Sequence, residues 1–321
     1  MTFFILASVT TAPPILPTPP YDSRSLRFES WDGELVMPIP LDGFAEMIGQ
    51  RGMLGLGVAP TDLATEGTPG VAGSRIVDVI ERDRPVAMPL AFLADKQADL
   101  WDVVQRLRDL TDPTRGMTPD GNFRLVCTSS SGTRQINLAY RSGLEGADLE
   151  HYGVDSAVLD LLAAMPYAQD REDKTIPFQL GTVSRPFLSS APGTDQPWGT
   201  RRLTSSTIAG AATPVEMFSS VPVYPVIEIT GPAESVLITG ENGLRIDVPT
   251  GVLAGQTLRI VTDPRHKSIR LNGALAAGKL ARGSRLRPFS RGTTLVDVTA
   301  PGASAATLLR LTWRGLHRSL W

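Results

Sequence analysis

The side chains most often used for catalysis and metal binding are few in this 321-residue sequence, and they stand far apart. The three histidines are His151, His266 and His317, and none belongs to an HxxxH or HExxH pattern, so a zinc site would have to be assembled from scattered groups. The single cysteine, Cys127, excludes an internal disulfide and any zinc site with two cysteine ligands from one chain. Cys127 lies on the predicted apolar face of a strand with no adjacent cation to lower its pKa, which favours a core residue over a nucleophile.

Three short sequences and two carboxylate pairs resemble functional motifs but have ordinary explanations. Residues 263–266 (DPRH) place a carboxylate, an arginine and a histidine together, yet Asp-Pro favours a solvated β-turn. Residues 129–132 (SSSG) lack the G-x-S-x-G pattern of a nucleophile elbow, and residues 52–57 (GMLGLG) have the wrong glycine spacing for a phosphate-binding loop, which predicts a plain loop. Two carboxylate pairs are of a kind common by chance: Glu29 with Asp32, and Asp170 with Glu172. We therefore predict no catalytic, cofactor-binding or metal-binding residues and no enzymatic activity.

Aromatic side chains leave a sugar-binding role open. Tyr224, Trp313 and Trp321 lie in the second half of the chain, and β-sandwiches can present such rings to carbohydrate. Trp313, however, falls on the predicted buried face of a strand, which favours a core position.

Charge and composition exclude several classes of protein. Lys and Arg number 31 against 33 Asp and Glu, and the net charge of −2 gives no broad positive field for tight nucleic-acid binding. Apolar residues make up 42% and charged residues 20%, which is typical of soluble globular proteins rather than disordered or membrane-embedded chains. The 30 glycines and 26 prolines are more than average and indicate many turns between short strands. We expect a mostly β protein.

The first 23 residues predict an extended arm. An apolar patch at residues 3–7 has no basic residue before it and is too short to cross a membrane, so we expect neither a secretory signal nor a membrane helix. Residues 12–20 (APPILPTPP) contain five prolines in nine residues, which favours a polyproline-type conformation. This arm could be a frayed terminus or could lie on a neighbouring subunit.

Residues 24–169 predict a first domain of β-hairpins with one helix. An Asp32-Gly33 turn indicates a hairpin within residues 25–38. A second hairpin pairs residues 75–80 with 85–92 around residues 82–84, and a third pairs residues 123–127 with 136–140 around residues 129–132. Residues 158–162 favour a strand over a short helix.

The helix is predicted over residues 95–110 from its apolar periodicity. Leu100, Val103, Val104 and Leu107 recur at helical spacing on one face. Asp95 is the expected N-cap and Pro113 the expected stop.

The rest of the chain divides into a connection and a second domain. Residues 170–217 are rich in proline and lack periodicity, so they form either a linker or a segment packed on something else; we take them as an extended connection. Residues 218–321 predict an antiparallel β-sandwich of jelly-roll type. Its eight strand candidates lie near residues 227–229, 236–238, 244–248, 258–261, 268–271, 278–286, 294–298 and 307–314. In the last of these, Leu309, Leu311 and Trp313 face one way.

In the order of its short hydrophobic and turn patterns, the chain resembles the siphophage distal tail proteins (Dit), the siphovirus-type tail component family. The first-domain passages are residues 69–71 (PGV), 76–79 (IVDV) and 84–90 (RPVAMPL), followed by the helix. The second-domain passages are residues 224–232 (YPVIEITGP), 242–243 (NG), 255–260 (GQTLRI) and 285–292 (RLRPFSRG). The likeness extends over nearly the whole chain, although each passage is a short pattern; the proline-rich arm and the long connection at residues 170–217 depart from the family.

The resemblance implies a split-barrel N-terminal domain that forms a hexameric ring, with a galectin-like or carbohydrate-module-like sandwich outside. Such a ring is a structural adaptor at the distal end of the virion tail. It joins the tail tube protein to the tail-tip hub or baseplate, with a channel for the tape measure protein and DNA. A closed ring would bury exposed strand edges, and a near-neutral chain would not grip DNA.

Three alternatives to the ring adaptor remain open. The first is a carbohydrate-binding or receptor-binding tail protein, in which the sandwich contacts glycan. The second is another minor tail protein of the same fold, and the third is a hydrolase whose residues are too scattered to detect.

Overall fold

The computed structural model describes residues 24–41, 46–144, 154–179, 209–304 and 306–321. The predicted N-terminal arm, His151 and residues 180–208 of the predicted connection lie outside these residues. The described chain is mostly β, with one α-helix, and it forms a barrel-like sheet, a sandwich of two sheets and a separate two-stranded hairpin. The predicted fold class is confirmed.

The first part of the chain, which we call the barrel, is built from antiparallel strands in the order β2-β1-β7-β8-β9-β6-β3. Strands β2 and β3, at the two ends of this order, contact each other, so the sheet nearly closes. The elements up to the end of the barrel are β1 (Ser25–Ser30), β2 (Val36–Ile39), β3 (Met47–Gly49), β4 (Thr61–Gly67), β5 (Ser74–Glu81), β6 (Arg84–Leu93), α1 (Gln97–Thr111), β7 (Phe123–Ser129), β8 (Gly132–Ser142), β9 (Val154–Ala163) and β10 (Ala168–Asp170).

Side-chain alternation explains how the barrel packs. Along β6 every second residue from Val86 to Phe92 is buried, and Phe123, Leu125 and Cys127 of β7 are buried as predicted. The helix covers this core with its predicted apolar face, since Leu100, Val103, Val104 and Leu107 are all buried. The β1–β2 and β7–β8 hairpins and the strand at residues 158–162 are confirmed.

The predicted N-cap of the helix is wrong. The helix begins at Gln97, and Lys96 occupies the cap position with an extended backbone and no side-chain hydrogen bond. Asp95 therefore lies one residue too early to cap the first turn. The helix ends at Thr111, two residues before Pro113.

The predicted second hairpin is also wrong. Strand β5 pairs with β4, which was not predicted, and β6 pairs with β9 and β3. The apolar alternation of β6 draws it into the barrel core, whereas seven of the eight residues of β5 are exposed. Residues 82–83 therefore redirect the chain out of the hairpin and into the barrel.

The second part, which we call the sandwich, packs two antiparallel sheets face to face. Their strand orders are β11-β20-β13-β16-β17-β18 and β12-β19-β14-β15. Ile227, Ile229 and Leu309 of the first sheet and Ile238 and Val298 of the second are fully buried in one shared core. The strands are β11 (Lys174–Gln179), β12 (Ala209–Met217), β13 (Val226–Thr230), β14 (Val236–Gly240), β15 (Arg245–Val248), β16 (Thr257–Val261), β17 (Ser268–Leu271), β18 (Ala274–Leu275), β19 (Gly292–Thr299) and β20 (Leu308–Trp313).

Three segments differ from expectation or add to it. Residues 278–286, predicted as a strand, hold part of a 3-10 helix (Ala277–Lys279) and a loop, with one bridge from Arg285 to Arg245. Strands β11 and β12 lie in the range predicted as a connection, each at the outer edge of a sheet. An edge strand has a neighbour on one side only, so the backbone N–H groups on its other side make no hydrogen bond within the sheet. Pro177 and Pro214, which lack an N–H, are therefore compatible with pairing here. The division of the chain into an arm, two domains and a connection stays a prediction.

The chain ends on the barrel. A short strand, β21 (Leu316–His317), pairs with β10, and β10 pairs with β8. Leu320 is buried in the barrel core, and its backbone N–H donates to the Leu56 carbonyl at 3.1 Å. The chain therefore crosses from barrel to sandwich between β10 and β11 and returns between β20 and β21.

Candidate functional site

The structure places the candidate chemical residues apart. Cys127 is 1% exposed, and burial raises the pKa of its thiol, so the thiolate that would act as a nucleophile is disfavoured. Residues 129–132 form the predicted hairpin turn between β7 and β8. Within the described ranges, no three His, Cys, Asp or Glu side chains cluster closely enough to hold a metal ion. The same ranges contain no helix that is long and apolar enough to span a membrane.

Glu29 and Asp32, which stand close in sequence, each have their own hydrogen-bond partners. Glu29 is 4% exposed and accepts hydrogen bonds from Arg27 (2.7 Å) and Arg171. Burial alone would raise the pKa of Glu29, but the two arginines outweigh it and lower the pKa. The exposed Asp32 is bonded to the Ser30 hydroxyl, which lowers its pKa. These contacts fix turns and strands rather than forming an acid–base pair.

Asp170 contacts a histidine from the far end of the chain. Its carboxylate lies 2.7 Å from His317 Nε2, and this hydrogen bond lowers the pKa of Asp170 against the opposing effect of burial. Lys174 and Arg134 lower it further. Because Asp170 ends β10 and His317 ends β21, the contact stabilises the return of the chain to the barrel.

The turn at residues 263–266 joins the sandwich to the barrel. Burial alone would raise the pKa of Asp263, but hydrogen bonds from the Arg265 guanidinium (2.9 Å) and the Arg265 backbone N–H, with the charge of Arg265, together lower it. Arg265 and His266 each lie 3.7 Å from a carboxylate oxygen of Asp120 in the barrel. The predicted turn is confirmed, and its Arg265 and His266 side chains lie beside Asp120 of the barrel.

A buried arginine that the sequence did not single out organises the loop at residues 52–57. The Arg84 side chain is fully buried, and its guanidinium donates to the carbonyls of Gly55 (3.2 Å), Gly57 (3.2 Å) and Arg318 (2.6 Å). Burial lowers the pKa of Arg84. Gly55 has φ +81°, and a Cβ there would lie 2.1 Å from the Pro85 carbonyl oxygen, so only glycine fits at position 55. Arg84 thus joins β6, the loop and the C-terminal residues.

Strands β4 and β5 form a hairpin that projects from the barrel, which we call the exposed hairpin. Its strands pair with each other and with no other described strand. The apolar side chains on it are between 42% and 65% exposed: Leu63, Val71, Ile76, Val77, Val79 and Ile80. The seven residues from Ser74 to Ile80 are all exposed, and the pairing of β5 with β4 shifts register at Val77. Both faces of the hairpin are available for contact.

The base of the exposed hairpin is held firmly to the rest of the molecule. The Glu81 carboxylate accepts a hydrogen bond from the Tyr167 hydroxyl and lies 2.8 Å from Arg318 Nε. Burial and the bond to Glu81 raise the pKa of Tyr167 to about 12. Arg82 pairs with Asp62 across the hairpin at 2.7 Å. These contacts therefore fix the base of the exposed hairpin to the rest of the molecule, and its apolar side chains extend from there.

A cleft of about 760 Å³ lies between the barrel and the sandwich. Tyr167 and Met165 line it from the barrel, and Tyr224, Val226 and Trp313 line it from the sandwich. Two of the three candidate sugar-binding aromatics thus meet here. Trp313 is 6% exposed, as its predicted core position requires. The third, Trp321, lies outside the cleft, with the Arg24 guanidinium 5.4 Å from its ring centroid.

The charged residues that line the cleft are each within 4 Å of an opposite partner. The pairs and their distances are Glu81–Arg318 (2.8 Å), Asp173–Arg314 (2.8 Å), Glu228–Arg259 (3.4 Å) and Asp263–Arg265 (2.9 Å). By contrast, the Tyr224 hydroxyl and the Trp313 indole N–H make no hydrogen bond to any described residue. The cleft therefore contains two neutral hydrogen-bond donors that have no partner among the described residues, and its charged side chains are already paired.

Comparison with known proteins identifies the fold. No protein-family model matches the chain, and no curated protein sequence matches it. Among solved structures, the Dit protein (gp 19.1) of SPP1, described as a paradigm of the hub adsorption apparatus in phages infecting Gram-positive bacteria, matches with a TM-score of 0.58 and 15% identity. The match covers 90% of this chain and 98% of that chain. The resemblance to the distal tail proteins is thus confirmed in the fold.

Two structures of the phage P2 baseplate in its activated conformation, with Ca and with Sr, match less closely. Each has a TM-score of 0.47 and 12% identity, over 86% of this chain and 97% of that chain. The assignment of the fold rests on the SPP1 protein.

Proposed function

We propose that this protein is a structural phage tail protein, a ring-shaped hub at the distal end of the virion tail. Six copies of the barrel form the ring, which joins the tail tube protein to the tail-tip hub or baseplate. The ring leaves a central channel for the tape measure protein and DNA, and the sandwich lies outside it. The protein acts mechanically and without catalytic turnover. The observation that carries the proposal is the fold shared with SPP1 Dit over nearly the full length of both chains.

The exposed hairpin supports self-assembly. A two-stranded hairpin alone is only marginally stable in water, and a monomer gains nothing from exposing six large apolar side chains on it. In a cyclic assembly, one surface of each subunit contacts a different surface of the next, so every hairpin is covered once. Full burial of one valine stabilises by about 1.5–3 kcal/mol, and Val77 and Val79, which are 56% and 55% exposed, would each gain about half of that at such an interface.

The oligomeric state of the purified full chain tests the proposal. We expect light scattering to give the mass of six subunits and negative-stain images to show an open ring. The double variant Val77→Glu/Val79→Glu should shift the protein to monomers, because two carboxylates would be buried without partners at each interface. Its circular dichroism and thermal unfolding should stay unchanged, since both positions are more than half exposed in a single chain.

The control carries the same charges on the sandwich. Leu253 and Leu275 are 68% and 79% exposed, and Leu253→Glu/Leu275→Glu should leave the ring intact. Rings that persist with both hairpin glutamates would contradict the role of the hairpin. A native chain that stays monomeric across the whole accessible concentration range would contradict the self-assembling ring.

A further inference from the structure

We propose that the outer face of strands β3, β6 and β9, which we call the receiving face, binds the exposed hairpin of a second copy of this chain. The inference rests on the proposed function and deepens it, because it names the surface that one subunit offers to the next. Each barrel then covers the hairpin of its neighbour.

The outward side chains of β6 are all apolar. Every second residue from Val86 to Phe92 points into the barrel core, so the residues between them point outward. The outward residues are Pro85, Ala87, Pro89, Ala91 and Leu93. An antiparallel sheet that has one face in water usually carries polar residues on that face. The outside of β6 therefore has the composition of a covered surface.

Strand β9 extends this apolar surface on one side of β6. Residues that stand directly opposite each other in an antiparallel pair lie on the same face of the sheet. Val154 stands opposite Leu93 and is 54% exposed. Val158 stands opposite Pro89 and is 59% exposed. Both valines therefore lie on the receiving face.

The other side of β6 adds two further apolar residues. Ile48 of β3 stands opposite Ala91. Leu54, which is 65% exposed, forms a bridge with Ala87 through two backbone hydrogen bonds of 2.9 and 3.2 Å. The apolar surface thus extends across β3, β6 and β9.

Elsewhere the outside of the barrel is polar. Arg27 of β1 and Arg124 of β7 alternate with buried core residues and lie on the outside. On the receiving face, Ser156 is the polar residue opposite Ala91, and Asp160 forms an ion pair with Arg141 at 3.8 Å. The receiving face therefore suits an apolar partner that brings no buried charge.

The exposed hairpin has an apolar face of this kind. Leu63 stands opposite Val79, and Thr65 stands opposite Ile76. Because Leu63 and Thr65 are two residues apart on one strand, all four side chains share one face. Leu63, Ile76 and Val79 are each 55% exposed. The other face carries the charged residues Asp62, Glu66, Arg75 and Asp78.

The two surfaces also match in size. Strands β4 and β5 have seven and eight residues, which at 3.4 Å per residue gives about 24 and 27 Å. The outward row from Pro85 to Leu93 is about 27 Å long by the same measure. Ala87 and Ala91 are small, so they leave space on the receiving face for the larger side chains of the hairpin.

A second copy is the occupant because one chain does not cover its own receiving face. The base of the hairpin is fixed where Glu81 contacts Tyr167 and Arg318, and in this conformation the hairpin and the receiving face of the same chain are both exposed. The chain therefore carries two unlike apolar surfaces that fit each other only between copies. Such a heterologous contact repeats from subunit to subunit and closes into a ring.

Charge favours the same pairing. Strands β4 and β5 carry more carboxylates than cations: Asp62, Glu66, Asp78 and Glu81 against Arg75. Arg51 borders the receiving face, since it follows Gln50, whose N–H donates to the Pro89 carbonyl at 2.9 Å. Arg51 is exposed and makes no ion pair with a described residue. An acidic hairpin thus approaches a face with a free cation at its rim, which speeds association at low salt.

Cross-linking between copies of the full chain tests this contact. One preparation carries Val79→Cys on the hairpin, another carries Val158→Cys on the receiving face, and the two are mixed in equal amounts. A short bismaleimide can join them, because facing sheets lie about 10 Å apart. The native Cys127 is 1% exposed and should stay unmodified. We expect peptide mass mapping to find position 79 of one chain linked to position 158 of another.

The cross-linking control keeps the hairpin cysteine and moves the second one. Val36, on the outside of β2, is 47% exposed and lies outside the receiving face. Val36→Cys in place of Val158→Cys should give at least about tenfold less of the linked pair, because only the docked site has a raised effective concentration.

A blocking substitution tests the same face without a cross-linker. Ala91→Arg places a long cation in the middle of the receiving face and should weaken association by about a hundredfold, because the guanidinium would be covered without a partner. Val36→Arg introduces the same side chain elsewhere on the barrel and should leave association unchanged. Both positions lie outside the barrel core, so thermal unfolding should stay close to that of the native chain.

The results separate this docking from the ring itself. Native rings that give no link between positions 79 and 158, and that persist with Ala91→Arg, would overturn the docking and leave the ring standing. That link in open chains of subunits would support the docking and contradict the closed ring. Efficient links between two copies of position 79 would mean that hairpins pair with each other, which also overturns the docking. Monomers that give no link at any accessible concentration would overturn both proposals.

Discussion

Substitution of Arg84 by methionine tests how the buried arginine stabilises the barrel. Methionine replaces the aliphatic part of the arginine side chain, so the inner part of the site stays packed while the guanidinium and its hydrogen bonds are lost. The native side chain is fully buried and donates to three carbonyls, those of Gly55, Gly57 and Arg318. Among the described residues, no carboxylate lies within ion-pair distance of it, so these carbonyls are its main partners.

The size of the effect follows from these contacts. A hydrogen bond to a charged group contributes about 1.5–3 kcal/mol net, and three such bonds are lost. Part of that loss is offset, because the desolvation that lowers the pKa of Arg84 is relieved and methionine buries apolar surface instead. We therefore expect Arg84→Met to lower the free energy of unfolding by about 3–4 kcal/mol.

Urea unfolding followed by circular dichroism measures this loss, and hydrogen exchange of residues 316–321 shows whether the C-terminal segment loosens with it. Arg82→Met is the matched control. Arg82 lies two residues away and makes an exposed ion pair with Asp62, which should be worth less than about 1 kcal/mol. A cost for Arg84→Met no larger than that of the control, or unchanged exchange in the C-terminal segment, would refute this account.

Three further predictions concern smaller features. The hydrogen bond to His317 lowers the pKa of Asp170, so this carboxylate stabilises the fold above the ordinary pKa of aspartate. That contribution is lost as the pH falls through the lower pKa of the folded state. The melting temperature between pH 3 and 5 should therefore depend less on pH in Asp170→Asn than in the native protein. Cys127 should react with iodoacetamide only on unfolding, because it is buried and its thiol pKa is raised; rapid native labelling would contradict this. Gly55→Ala should lower the melting temperature, since its Cβ would overlap a carbonyl oxygen of β6, whereas Gly57→Ala, with open space around it, should not.

Local patterns were sufficient to predict the elements whose side chains alternate or recur. The buried face of α1 and the alternation of Phe123, Leu125 and Cys127 are visible in short windows of sequence, and the structure confirms them. Strand β4 has no such pattern, because both of its faces are exposed. Pro177 and Pro214 suggested irregular chain, since the sequence does not show that their strands lie at sheet edges.

The candidate sites depend on contacts between distant residues, which no local pattern reveals. The three carbonyls around Arg84 come from 29 and 27 residues before it and 234 residues after it. The cleft likewise combines Tyr167, Tyr224 and Trp313 from strands or loops that are far apart in sequence. The aromatic residues could be named in advance as candidates, but their meeting in one cleft required the fold.

The double crossing between barrel and sandwich has a mechanical consequence. Because β21 returns to the barrel, the two parts are joined by two covalent segments, near residues 171–173 and 314–315. A single linker would let the sandwich rotate about it, whereas two linkers, with the contact between Arg265 and Asp120 beside them, restrict that rotation. A force applied to the sandwich is therefore shared between both segments, and the Asp170–His317 contact holds the two segments together where they meet the barrel.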